Sequence, residues 1–173
     1  GMPAFAREGL RLCYLPSAQQ CIDLAHDLTE VYGLETVPYC TGKHPVSGVP
    51  LLSRAQKRSN EQRWLGGDAE LMLATEAYGM GVDRWISLVL QYGAGDLMQL
   101  VQHLGRAGRL WHRPALGVMV VEPRLVRKQL ELMGCDATTA EDEQVRQSLD
   151  VQVGTECCRA RFLAEFGGAR EAS

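Results

Sequence analysis

Short apolar runs alternate with capped helical stretches along this chain, and that alternation restricts the fold more than any other feature. "LRLCYLP" is an apolar run that stops at Pro16, the signature of a strand with an abrupt end. "SAQQCIDLAHDLTEVYG" follows, with Ser17 and Gln20 spaced as a capping box, a stripe of Cys21, Leu24, Ala25, Leu28 and Val31, and Gly33 as terminator. "LETVPYC" reads as a second strand and "TGKHPVSGVPLL" as a turn-rich loop. "SRAQKRSNEQRWLGG" repeats the helix grammar with Ser53, Gln56 and Gly66. "ELMLAT", "ISLVLQYG" and "LGVMVVEP" are further strands, and "DLMQLVQHLG", capped by Asp96, is a further helix. Strands separated by helices predict an α/β fold: a three-layer parallel sheet with helices on both faces. Ligands of such sheets bind in loops beyond the carboxyl ends of strands.

Composition narrows the class. A chain of 173 residues with 46% apolar and 23% charged content is globular. Its net charge of -3 provides no global basic field, so any nucleic-acid contact has to be local. No apolar run reaches the length of a membrane span, and the start carries no secretory pattern. The six cysteines, at 13, 21, 40, 135, 157 and 158, form no CxxC spacing and read as reduced thiols of an intracellular protein. A dinucleotide-binding enzyme would need GxGxxG after the first strand, where "YLPSAQQ" stands instead.

Two stretches carry chemistry. In "QHLGRAGRLWHR", Arg106 and Arg109 sit on backbone flanked by Gly105 and Gly108. Glycine permits a tight turn or close approach, and guanidinium suits forked contact with phosphate. In "MLATEAYGMGVD", Gly79 and Gly81 suit a loop whose amides face a ligand, and Asp83 can accept a hydrogen bond.

Together, at this spacing, the two stretches resemble motifs V and VI of superfamily-2 helicases, and in detail those of the RecQ type: Ala74, Thr75, Ala77 to Asp83, then Gln102 with Gly105 to Arg109. "CYLPSAQQCIDLAHDL" is similar to motif IV with its helix, and "PYCTG" stands where that family has a "YHAG"-like strand end. The resemblance covers roughly residues 10 to 122 and implies a RecA-like lobe, the second of a helicase motor of the P-loop NTPase class, over 1–122. Residues 123–173 are expected to form a helical extension of short helices; "CCRARFLAEFGG" is similar to the helix that opens the family's zinc-binding module. Cys158 matches its first ligand, but one ligand is not a site, so no zinc is expected in this chain.

What the resemblance implies is an ATP-dependent 3′–5′ DNA helicase acting in DNA repair and recombination, nuclear in a eukaryote and cytoplasmic in a bacterium. ATP with Mg²⁺ would be shared with an N-terminal lobe in cis, since no GxxxxGK[ST] occurs here. Arg109 would be the arginine finger, and Arg106 would support it on the γ-phosphate. Gly79, Gly81, Asp83 and Gln102 would face the nucleotide, and Ser17, Gly42 and Thr75 the DNA. Alone, the lobe would lack ATPase activity. The departures are His103 and Leu104, where the family has an acidic residue and a threonine, and Pro16 and Ala18 around Ser17. They leave an alternative open: a stand-alone, non-catalytic nucleic-acid-binding or adaptor module of the same fold. His44, His103 and His112 lack partners at ligand spacing, so metal binding is not expected. Trp64 reads as core, and "KRSNEQR" as a solvated helix face.

Overall fold

The computed structural model describes residues 3–76, 78, 84–93, 97–108 and 113–120. The chain divides into two compact units, Gly1–Tyr92 with Gln99–Val120 and Gly93–Met98 with Val121–Ser173. The sheet belongs wholly to the first. The expected extension over 123–173, with its cysteines, lies outside the described residues.

The elements are α1 (Phe5–Glu8), β1 (Leu10–Tyr14), α2 (Ala18–Glu30), β2 (Thr36–Tyr39), α3 (Arg54–Gly66), β3 (Leu71–Ala74), β4 (Ile86–Tyr92), α4 (Leu97–Leu104) and β5 (Leu116–Val120). The strands form one five-stranded sheet in the order β2-β3-β1-β4-β5. Each neighbouring pair is parallel, with Cys13 opposite Leu73 and Leu90, and Leu90 opposite Val118. Period-two alternation then sends side chains to opposite faces. Leu12, Tyr14, Met72, Ala74 and Val89 face one way, with Trp64 of α3 and Leu104 of α4 packed among them. Cys13, Leu15, Leu71 and Leu73 face the other, against Cys21 and Ala25 of α2. Helices therefore cover both faces, as the alternation of elements predicts.

Local chemistry sets the helix limits. Ser17 Oγ accepts the Gln20 amide at 3.3 Å, so Ser17 caps α2, with the expected box closed in this one direction. At α3 the capping box closes in both directions: Ser53 Oγ takes the Gln56 amide at 3.1 Å, and Gln56 Oε1 takes the Ser53 amide at 2.9 Å. The terminator of α3 is Gly67, with φ of 88°, rather than Gly66, which is still helical. Trp64 is fully buried and its indole donates to the Arg11 carbonyl at 2.9 Å. The stripe expected on α2 is narrower than the sequence implied: Cys21 and Ala25 are buried, but Leu24 is 37% and Val31 70% exposed.

The outer edge of β2 is closed by side chains. The Thr36 amide donates to Thr29 Oγ1 at 3.2 Å, Pro38 has no amide hydrogen, and the Pro38 carbonyl accepts from Asn60 Nδ2 at 2.8 Å.

Candidate functional site

The sequence-derived candidates divide between the two edges of the sheet. At the carboxyl edge, the chain leaves β1 toward β2 and leaves its neighbour β4 in the opposite direction, toward β5. Adjacent strands with diverging connections make a switch point, the usual crevice of an open parallel sheet. Ser17 follows β1, on one side of that crevice, and Thr75 follows β3, the next strand beyond β1. Both are half-buried. Ser17 Oγ is an acceptor toward Gln20, which leaves its own hydrogen available to an anion. The Thr75 amide donates to the Tyr39 carbonyl at 3.4 Å, and its carbonyl accepts from Tyr78 N at 3.0 Å. Gly42 lies beyond β2, where a Cβ would stand 2.8 Å from Ala18 Cβ. Its lack of a side chain lets that loop close against the start of α2, next to Ser17.

The arginine segment lies at the other edge. After α4 the backbone tightens: Arg106 N donates to His103 O and Ala107 N to Leu104 O, each at 3.0 Å. A Cβ at Gly105 would lie 2.7 Å from the Val101 carbonyl oxygen. Gly108 has φ of 68° and donates its amide to Ile86 O at 3.2 Å, at the start of β4. The segment is thereby held beside the residues that directly follow the "GVD" stretch. Arg106 is half-buried, and its Nε is buried with no hydrogen-bond partner among the described residues. Arg11 Nε is orphaned in the same way, but Arg11 is paired with Glu70, whereas Arg106 has no ion pair among the described residues and its guanidinium can take an anion. Gln102 is exposed on α4. Gly79, Gly81, Asp83 and Arg109 lie outside the described residues.

A buried cluster joins these edges, and sequence reasoning missed it. The His103 ring stacks on Tyr14 at 3.6 Å, and His103 Nδ1 lies 2.7 Å from Gln91 Oε1. The Tyr14 hydroxyl donates to the Tyr78 carbonyl at 2.9 Å, and the Tyr78 hydroxyl donates to Glu61 at 3.2 Å. Burial, reinforced by the Arg106 cation, pushes His103 down to about 4, so its imidazole is neutral near pH 7. Because Gln91 presents an oxygen, the neutral ring carries its proton on Nδ1. His103 is thus a core residue. The signal was present in the sequence: a glutamine inside the apolar run "ISLVLQYG". The "KRSNEQR" face is also less solvated than expected, since Asn60 and Glu61 both bond inward.

An open cavity of about 350 Å³ lies at the amino edge, lined by Glu8, Arg11, Glu70, Arg84 and Trp85 among others. Its two carboxylates balance its two guanidiniums, and Arg11 pairs with Glu70 at 2.9 Å, so it is not an anion site by charge. No group of three or more potential metal ligands occurs among the described residues. No helix among them is long and apolar enough to cross a membrane.

No family model matches the chain. Three DNA helicases are similar to it. An ATP-dependent DNA helicase RecQ of Synechocystis is 34% identical over 117 residues, 65% of this chain and 22% of the relative. The ATP-dependent DNA helicase hus2/rqh1 of Schizosaccharomyces pombe is 28% identical over 90% of this chain and 12% of the relative. The ATP-dependent DNA helicase Q-like SIM of Arabidopsis thaliana is 27% identical over 93% of this chain and 18% of its own length. The chain thus spans between 12% and 22% of these relatives. Among solved structures, the C-terminal domain of the DEAD-box protein Dbp5 superposes with a TM-score of 0.51 over 79% of each chain, at 12% identity. That likeness concerns the fold alone.

Proposed function

We propose that this RecQ-helicase homologue, which has the fold of a RecA-like C-terminal lobe, works as the second lobe of an ATP-dependent DNA motor. The observation that carries the proposal is the half-buried Arg106, held by the Gly108 anchor at the start of β4, with a guanidinium nitrogen that no described residue satisfies. In this reading Arg106 and Arg109 reach across a cleft to the phosphates of ATP. Gly79, Gly81, Asp83 and Gln102 border the nucleotide, and Ser17, Gly42 and Thr75 hold the DNA backbone at the opposite edge. The phosphate cradle and the Mg²⁺ ligands come from an N-terminal lobe, and translocation runs 3′–5′, the direction that the resemblance of the two glycine-bearing motifs implies. Phosphoryl transfer asks chiefly for positioning and charge neutralisation, which two guanidiniums on a tight, glycine-bounded segment supply.

The test is kinetic, in a motor carrying both lobes. Arg109→Ala should cut DNA-stimulated ATP hydrolysis by about 10³-fold or more while DNA binding persists, because charge builds on the phosphoryl group in the transition state. Arg109→Lys should rescue little, since a point charge lacks the planar fork. Hydrolysis at the wild-type rate in both Arg106→Ala and Arg109→Ala would refute the motor role. A two-lobed protein that binds DNA but never hydrolyses ATP would instead establish the non-catalytic binding module.

A further inference from the structure

We infer that the loop over 43–50 and the first turns of α3 form an additional contact for single-stranded nucleic acid, beside the edge marked by Ser17, Gly42 and Thr75. The inference rests on the helicase-lobe reading and extends its DNA interface beyond the motif residues named above.

Charge is the first argument. Between Thr36 and Asn60 the chain carries Lys43, Arg54, Lys57 and Arg58 and no aspartate or glutamate, although the whole protein is net -3. Lys43, Arg54 and Arg58 are exposed, and Lys57 Nζ donates to Thr41 Oγ1 at 3.3 Å, beside Gly42. This is a local cationic surface on an acidic protein, and a polyanion is its complement.

Order is the second. The loop is closed at its base by a Lys43–Pro50 bridge and by Leu51 N donating to Gly42 O at 2.9 Å. His44 N donates to Val49 O at 2.8 Å, and His44 Nδ1 accepts both the Val46 and Ser47 amides at 3.3 Å. Gly48 turns the chain at φ of 68°. With the Gly48 amide on the His44 carbonyl at 2.9 Å, five hydrogen bonds and two prolines hold a loop of this size in advance, so little entropy is lost when a ligand arrives.

The tip is the third. Val46 is 89% and Val49 59% exposed, on a loop whose backbone is otherwise well satisfied. Apolar tips beside cations match a ligand that offers phosphates and apolar base faces together. A duplex conceals base faces, and an unpaired strand presents them. That favours a single strand over duplex, and over an apolar protein surface, which would not call for the surrounding cations.

The experiment uses the 173-residue chain and fluorescence anisotropy with labelled oligothymidylate and a blunt duplex of equal length, over a salt series. Lys43→Gln with Arg54→Gln should reduce the slope of log affinity against log salt by about 1.4, roughly 0.7 per lost phosphate contact. Val46→Ser with Val49→Ser should weaken single-strand binding about fivefold or more and leave duplex binding unchanged. These exposed loop positions should not alter folding, and Thr75→Ala serves as the control at the edge proposed above. If Thr75→Ala weakens binding while both loop variants bind as wild type, the loop contact is wrong and the lobe reading stands. If only the valine variant binds the single strand normally, the valines face a protein and the base contact is wrong. A wild-type chain that binds neither DNA at low salt would count against the lobe reading itself.

Discussion

Tyr14 and His103 lie face to face, with ring centroids 3.6 Å apart and planes 7° from parallel. Tyr14 ends β1, three residues before Ser17, and His103 stands three residues before Arg106. The stack therefore ties a strand end at one edge of the sheet to the arginine segment at the other. Gln91 locks the imidazole from β4, and the Tyr14 hydroxyl reaches Tyr78 at the head of the glycine loop.

The stack should make folding pH-dependent. His103 titrates at about 4 in the folded protein, against 6.5 unperturbed, because burial and Arg106 disfavour the imidazolium. The unfolded chain takes up this proton first, so the contribution is complete above 6.5 and is lost as the pH falls toward 4. The loss should be on the order of 2 kcal/mol by about pH 5. His103→Phe keeps a ring against Tyr14 without a titrating group. Urea unfolding should show it less stable than wild type near neutrality, with a gap that narrows on acidification; a constant gap would contradict the assignment.

Gly108→Ala should destabilise by about 1–2 kcal/mol, the cost of a left-handed residue bearing a Cβ. The residue has φ of 68°, and the added carbon would meet Ala115 Cβ at 3.1 Å. Thermal unfolding measures the loss. Under the proposed function, the same change should lower ATP turnover in a two-lobed motor, because the Ile86 anchor of the arginine segment is disturbed.

Trp64→Ala should cost about 3–5 kcal/mol by removing the largest wholly buried side chain described. Trp64→Phe should cost less, mostly through the Arg11 carbonyl left without its donor. Denaturant midpoints that place both variants within experimental error of wild type would argue against Trp64 as the centre of that face.

Much of this fold was legible because its signals are local. Periodicity, the Ser53–Gln56 capping box and the Pro16 stop each act over a few residues, and they delimit the five strands and three longer helices. α1 has only four residues, too few to show a period. Leu24 and Val31 belong to an apolar stripe by spacing, but how wide a stripe is covered depends on the neighbours of α2, not on α2. Two successive glycines at 66 and 67 differ only in backbone angle, so the stop could not be placed between them. At the candidate site, Ser17 was recognisable because its cap is local. The Gln91–His103 pair was not, since β4 and α4 meet only through the chain's return along the sheet.

In isolation the chain should bind ATP only weakly, at about millimolar or worse, because on the proposed reading the phosphate cradle belongs to another lobe. Calorimetric titration is the measurement, and micromolar affinity would contradict a shared site. In a two-lobed motor, Arg106→Ala should raise KM more than it lowers kcat, if Arg106 holds the γ-phosphate before the cleft closes.

The closure of β2 by Thr29, Pro38 and Asn60 bears on behaviour in a crowded solution. A bare outer strand is a template on which a second chain can polymerise, edge to edge, into aggregates. Here the Thr36 donor and the Pro38 acceptor are already occupied from within, and proline removes the donor between them. This flank of the sheet is consequently a dead end for strand addition, and the lobe can expose it at high concentration without growing from it.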